Sequence, residues 1–294
     1  MLLALIGCNV RKNKVVTPIT PIATMPSPIK QILPTDNGIY VLLLAPSVDD
    51  SLFFVTNNGA IRPLKLIDPS ITHIFTTMFA ILDHQRFVLL CPEINRIECR
   101  DYSGKLDWYY ESLYTKWKIG SLRRGHAFIA ANNKTVVLYT RVSDIVKLIW
   151  LNGSDGKIIK IMSPSIFNNN KLSNIFGLGM CTGMQLDDDG NLFIAFDSVV
   201  FYIDKTTKNV GAIKFSQPIA GLYKSDKVFV AVMKKNEIID LFSIQTNNKV
   251  HFAMRIIFKR QSGKLMGIDK DNCYFMFGTN DIWRARRKKL MLIL

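Results

Sequence analysis

Histidine is scarce in this chain: there are four among 294 residues. They stand at His73, His84, His126 and His251, and none forms an HxH or HxxxH pair, so a metal cluster built on paired imidazoles is not indicated. No GxSxG elbow, Walker A loop or dinucleotide fingerprint occurs, which removes the usual signposts of serine hydrolases and nucleotide enzymes. Long hydrophobic runs are missing too. Away from the N-terminus the longest, about Ile39 to Pro46, has strand length and falls far short of the roughly 20 residues of a membrane-spanning helix. Stretches with helical periodicity and Ala- or Glu-rich runs are also absent. Acidic residues are few: 23 Asp and Glu against 38 Lys and Arg leave a formal charge of +15. That excess fits either a surface for nucleic acid or anionic lipid headgroups, or the Lys-, Asn- and Ile-rich composition of an AT-rich genome. The lysines are scattered, which favours composition. The one dense basic run, Arg284 to Lys289, lies between Ile282-Trp283 and Leu290–Leu294 without interleaved aromatics, and reads as a strand edge and turn. Nucleic acid is therefore not an expected partner.

What the chain does have is a hydrophobic fraction of 48%, enough for a sizeable core. Charged residues make up 21%, too few for a disordered chain. A phrase recurs along it: an apolar run, a turn, an apolar run, then a Gly- or Asn-bearing turn into the next run. Thr35-Asp36-Asn37-Gly38 leads into Ile39–Leu43 as Leu186-Asp187-Asp188-Asp189-Gly190 leads into Asn191–Ala195. Inside the runs β-branched and aromatic residues dominate, while Pro and Gly fall at the joints. Such recurrence predicts an all-β fold: a β-propeller of six four-stranded blades, with seven as the fallback count.

The six blades are placed at Ile32–Leu66, Ile74–Tyr110, from about Trp117 to Met162, Gly183–Phe215, Ile219–Phe258 and Leu265–Leu294. Leu290–Leu294 is expected to close the last blade, with the Val15-Val16 region as a further strand on it. The third blade runs longer than its neighbours. Three regions follow: 1–8 as a signal-like segment, 9–29 as a Pro- and Thr-rich extended linker, and 30–294 as the propeller.

The phrases Ile94–Gly104 and Asp187–Ala195 look like NHL- or PQQ-type propeller repeats, in which an acidic-Gly turn, a strand and Asn-Arg-Ile recur. The resemblance implies architecture, and a family used largely for binding with lactone-hydrolysing and sugar-oxidising branches. At the front, Leu5-Ile6-Gly7-Cys8 resembles the lipobox of bacterial lipoproteins. That resemblance implies cleavage before Cys8, acylation of its thiol and a tether at a membrane.

Candidate chemistry is sparse. Asp187–Gly190 and Asp269–Asn272 could hold calcium, although neither has EF-hand spacing and both fit tight turns. No cofactor and no catalytic set is expected. Cys91 and Cys99 flank a predicted hairpin, where they are either a disulfide across it or buried free thiols. Two places point to partners: the polar insertion Asn168-Asn169-Asn170-Lys171 after the third blade, and the aromatics Trp108, Tyr109, Tyr110, Tyr114 and Trp117 between the second and third. The expected function is a non-enzymatic scaffold or docking subunit of a larger bacterial cell-envelope assembly, with other protein subunits as partners and a lipid anchor at Cys8. The alternatives are a propeller enzyme of the lactonase or sugar-oxidising kind, and a basic structural component of a virion.

Overall fold

The computed structural model describes residues 17–44, 52–67, 78–91, 96–111, 127–142, 145–163, 181–206, 208–235, 237–258 and 263–293. Among them every regular element is a strand. β1 (Thr20–Thr24) leads. Blade 1 holds β2 (Ile29–Thr35), β3 (Gly38–Leu43), β4 (Leu52–Thr56) and β5 (Ile61–Pro63). Blade 2 holds β6 (Met78–Ile81), β7 (Arg86–Cys91), β8 (Arg96–Asp101) and β9 (Leu106–Glu111). Blade 3 follows with β10 (Ala127–Asn132), β11 (Thr135–Val142), β12 (Ile145–Asn152) and β13 (Ile158–Met162). Blade 4 holds β14 (Cys181–Leu186), β15 (Leu192–Phe196), β16 (Val199–Ile203) and β17 (Val210–Lys214). Blade 5 holds β18 (Ile219–Lys224), β19 (Val228–Lys235), β20 (Ile238–Ile244) and β21 (Val250–Phe258), and blade 6 holds β22 (Gly263–Ile268), β23 (Asn272–Phe277) and β24 (Asp281–Arg286). The chain ends on β25 (Leu290–Ile293). Each blade is an antiparallel meander, and the first strands adjoin in the order β2, β6, β10, β14, β18, β22 and back to β2. The protein is a six-bladed β-propeller.

Period-2 alternation builds the core. Successive residues of the middle strands point into opposite seams, so every seam receives a row from each flanking blade. On β3, Val41 packs with Tyr274 and Ile282 of blade 6, while Leu42 packs with Phe79 and Leu89 of blade 2. Six such clusters fill the six seams. Strands covered on both faces must be apolar throughout, and β3, β15 and β16 are buried along their whole length.

The ring closes differently from the expectation. β1 pairs antiparallel with β24, Thr20 opposite Arg284 and Thr24 opposite Asp281, and so supplies the outer strand of blade 6. Thr24 Oγ1 donates to Asp281 Oδ1 at 2.7 Å, and Asn280 Nδ2 donates to the Met25 carbonyl at 2.9 Å. The 9–29 stretch is therefore not a tether throughout: Thr20–Thr24 is sheet and Met25 is core, because an open β24 edge would leave its N–H and C=O groups without partners. Val15 and Val16 lie outside the described residues. With β24 taken, Leu290–Ile293 cannot serve blade 6. It pairs parallel with the outer strand of blade 5, Arg255 with Leu290 through Phe258 with Ile293, and buries Met291 and Ile293 in the seam between blades 5 and 6.

Cys91 and Cys99 do not face each other. Cys91 is opposite Arg96 and Cys99 opposite Val88, and the two thiols point into different seams. Cys91, Cys99, Cys181 and Cys273 are all buried, and none forms a disulfide among the described residues.

The turns joining first to second and third to fourth strands share one face of the disc. The strands flanking residues 45–51, 68–77, 112–126 and 164–180 end on the other face. The extra length of the third blade thus falls after β13 and not inside its sheet. Asn168, Asn169, Asn170, Lys171, Tyr114, Trp117 and Cys8 lie outside the described residues.

Candidate functional site

The first strands surround an axial channel of about 1130 Å³. Small and apolar residues such as Ala80, Ala130, Gly183 and Gly221 line it together with polar and charged ones such as Gln31, Gln185, Lys264 and Asp269. The inner edges of these strands need partners, and long polar side chains from neighbouring blades provide some of them. Gln31 donates to the Phe79 carbonyl at 2.9 Å and accepts from the Phe79 amide at 3.1 Å. Gln185 Nε2 reaches the Leu222 carbonyl at 3.2 Å, and the Tyr223 hydroxyl reaches the Leu265 carbonyl at 2.7 Å. These bonds tie blade 1 to 2, 4 to 5 and 5 to 6, so the side chains serve the ring and do not aim at a ligand.

Carboxylates gather in the turns round one mouth of the channel: Asp36, Asp83, Asp188, Asp226 and Asp269. Most are engaged. Burial alone would raise the Asp83 carboxyl, but the Arg86 guanidinium and the Gln85 amide outweigh it and hold it below the ordinary value. Asp188 pairs with Lys224 at 2.8 Å. The calcium candidates serve their own turns. Asp187 accepts from the Asn191 amide at 2.7 Å and from Asn191 Nδ2 at 2.8 Å. Asp269 accepts from the amides of Asp271 and Asn272 and from the Tyr274 hydroxyl. Among the described residues no group of three or more His, Cys, Asp or Glu is placed to hold a metal ion. His84 is exposed in a turn and His251 is exposed on β21.

The second candidate region is the rim where blades 2 and 3 meet. Of the aromatics there, Trp108 is not a surface anchor. It is 7% exposed, packs in the seam, and its Nε1 donates to the Gly153 carbonyl at 2.9 Å. The reason is strand alternation: Cys99 opposes Trp108 and carries it inward, and Tyr110 follows on the same side and packs against the same cluster. The ring lies against Gly156, whose φ of +69° and lack of Cβ are both required, since a Cβ there would sit 2.4 Å from Trp108 Cε3. Tyr109 points the other way. It is 50% exposed, with the Arg96 guanidinium 4.0 Å from its ring centroid. Arg96 is itself fixed by Glu98 at 2.8 Å, and Glu98 also binds Arg100 at 2.7 Å inside the blade.

Just beyond Gly156 comes β13. It is the outermost strand of blade 3, paired to β12 on one side. Ile158, Ile159 and Ile161 are 43%, 60% and 42% exposed. The signal was present in Ile158-Ile159-Lys160-Ile161-Met162, an apolar strand in an outer position. In sequence alone such a run does not differ from a buried strand.

Comparison with known proteins agrees with the fold. No family model matches the chain, and no curated protein matches it in sequence. Solved structures do. A DUF4221 family member from Bacteroides vulgatus is similar with a TM-score of 0.60 at 8% identity, over 93% of this chain and 97% of that one. The Pan2 WD40 domain of Neurospora crassa gives a TM-score of 0.57 at 8% identity, over 94% and 98%. A streptogramin B lyase gives 0.52 at 10% identity, over 92% and 97%. At these identities the likeness concerns the propeller ring and nothing finer.

Proposed function

We propose that this chain is a non-enzymatic docking propeller, a subunit of a larger bacterial cell-envelope assembly, held at the membrane through an acylated Cys8. The observation that carries the reading is the division of labour between channel and rim. Polar groups round the channel are largely committed to turns and seams, while β13 on the rim of blade 3 presents Ile158, Ile159 and Ile161 to solvent. Exposed apolar groups close together on one outer strand mark an interaction surface more than a reaction centre. WD40 architecture among the similar structures supports a scaffold role, and the NHL- and PQQ-like turn phrases agree with it. The lipobox-like Leu5–Cys8 supports the tether.

Two measurements test the reading. Native mass spectrometry after mild detergent extraction is expected to find the chain in a stable complex with other proteins, and a monomer under every condition would overturn docking. Mass analysis of the mature N-terminus is expected to find acylated Cys8 as the first residue, and an unmodified peptide spanning Leu5 to Arg11 would remove the tether alone. The channel mouth, where carboxylates such as Asp36 and Asp269 stand beside Lys224 and Lys270, and the lyase among the similar structures support a propeller enzyme as the second reading. Turnover of lactone or sugar substrates that stops on substituting a channel-mouth carboxylate would establish it.

A further inference from the structure

We infer that β13 is a strand-addition site: the bare outer edge of blade 3 accepts an extended segment of a partner protein that alternates apolar and acidic residues. The inference rests on the docking reading and names how and what the rim binds.

The first argument compares the six outer edges. An unpaired edge carrying apolar side chains is a template for another strand, and folded proteins normally blunt it with Pro, charge or a cover. Blade 1 ends in a three-residue strand closed by Pro63, and β1 on blade 6 contains Pro21 and an irregular register. The edge of blade 2 carries the half-exposed Asp107, and that of blade 4 exposes Ala212 and Lys214. In blade 5 the chain adds a strand of its own, β25, to half of β21, and the other half keeps Val250 and Phe252 exposed beside His251. On β13, Lys160 is the only charged residue among five, and no strand lies outside it among the described residues. The pairing of β25 with β21 shows that the rim of this disc accommodates an added strand.

The second argument selects the occupant. A two-fold pair of edges runs antiparallel, so a second copy centred on β13 would set Lys160 against Lys160, a repulsion that adds to that between chains of charge +15. An acidic segment reverses the sign. Lys160 makes no ion pair among the described residues; its Nζ lies 5.1 Å from the Trp150 ring centroid. A carboxylate opposite it would complete a charge pair, with apolar partner residues covering Ile159 and Ile161. Main-chain bonds would supply the affinity and the alternating side chains the specificity.

The probe is a short synthetic peptide alternating valine and glutamate, with a valine–lysine peptide as control, titrated against the whole chain. The glutamate peptide should bind and slow amide exchange in Ile158–Met162, and the lysine peptide should bind at least about tenfold more weakly. Ile159→Lys should weaken the glutamate peptide by about tenfold or more, while Ile61→Lys on blade 1 should leave it unchanged. Since Ile61 and Ile159 are both exposed, both variants should keep the wild-type melting curve. Equal binding of the two peptides, protection elsewhere than β13, or insensitivity to Ile159→Lys would overturn the inference. So would a concentration-dependent dimer abolished by Ile159→Lys, which would give the edge to a second copy. The native complex separates the two levels: an assembly that survives Ile159→Lys ends strand addition and leaves docking standing, whereas no assembly in the wild type ends docking itself.

Discussion

The outer edges of blades 3 and 5 begin from the same problem and end differently. Both are last strands of an antiparallel meander, both are rich in apolar residues, and both face away from the axis. In blade 5, β25 covers Arg255–Phe258 and turns Met291 and Ile293 inward, where they are 0% and 1% exposed. In blade 3 nothing described covers β13, and Ile159 remains 60% exposed. The difference teaches that an apolar outer strand in this fold is not in itself core or interface. What decides is whether a further strand lies over it, as β25 does on blade 5 and as no described strand does on blade 3.

That contrast predicts a ranked set of effects. The largest belongs to the covered edge. Met291→Ala should cost about 2–4 kcal/mol in urea unfolding, because the cavity opens in a packed seam. A cost under about 0.5 kcal/mol would mean β25 is a frayed tail, and the two edges would then be alike.

Next comes the seam that sets β13 in place. Trp108→Phe removes the indole N–H bond and leaves the Gly153 carbonyl with its bond from Arg86 Nη1 at 3.1 Å, so about 0.5–1.5 kcal/mol should be lost. The same variant should increase exchange in β13, since Gly153 to Gly156 leads directly into it.

A pH effect of similar or smaller size sharpens the blade 5 side. Asp240 accepts from Arg255 Nε at 2.5 Å and Nη2 at 2.8 Å, on the strand that receives β25. The Arg255 hydrogen bonds, with help from Lys234, hold its carboxyl below the ordinary value despite burial. A folded value below the unfolded one means the stabilisation is present above the unfolded value of about 3.9 and is lost as pH falls through the folded value. Wild type should lose stability in that acid window, and Asp240→Asn should be weaker at neutral pH with a flatter acid limb. An unchanged acid limb in the variant would remove Asp240 from the account.

The smallest effect marks the bare edge. Ile159→Ala should change stability by under about 0.5 kcal/mol, since the side chain is largely in water. A loss above about 1 kcal/mol would mean that something already covers it.

Much of this ring was legible in the residues. The predicted fourth blade, Gly183–Phe215, holds Leu192–Phe196, Val199–Ile203 and Val210–Lys214 as consecutive strands. Asp187-Asp188-Asp189-Gly190 and Asp197-Ser198 are turn chemistry, with Gly190 and Asp197 at positive φ, so the local sequence leaves the chain few other conformations. The misreadings are non-local. Leu290–Ile293 is a strand, as its apolar run implies, but only three dimensions show that β1 had already taken the blade 6 edge. Leu106–Glu111 alternates, which is enough to send Trp108 inward and Tyr109 outward, yet treating its aromatics as one cluster hid that. Exposure of Ile158, Ile159 and Ile161 depends on β13 being outermost among the described strands, and no pattern within five residues encodes that.

Hydrogen exchange resolved along the chain tests the central claim most directly, comparing Ile158–Met162 with Arg255–Phe258 in the isolated protein and again in its native complex. The account predicts fast exchange on the outward amides of Ile158–Met162 and slow exchange in Arg255–Phe258 when isolated, with selective slowing of Ile158–Met162 on assembly. Equal protection of the two strands in the isolated chain, or a complex that leaves Ile158–Met162 as fast as before, would contradict it.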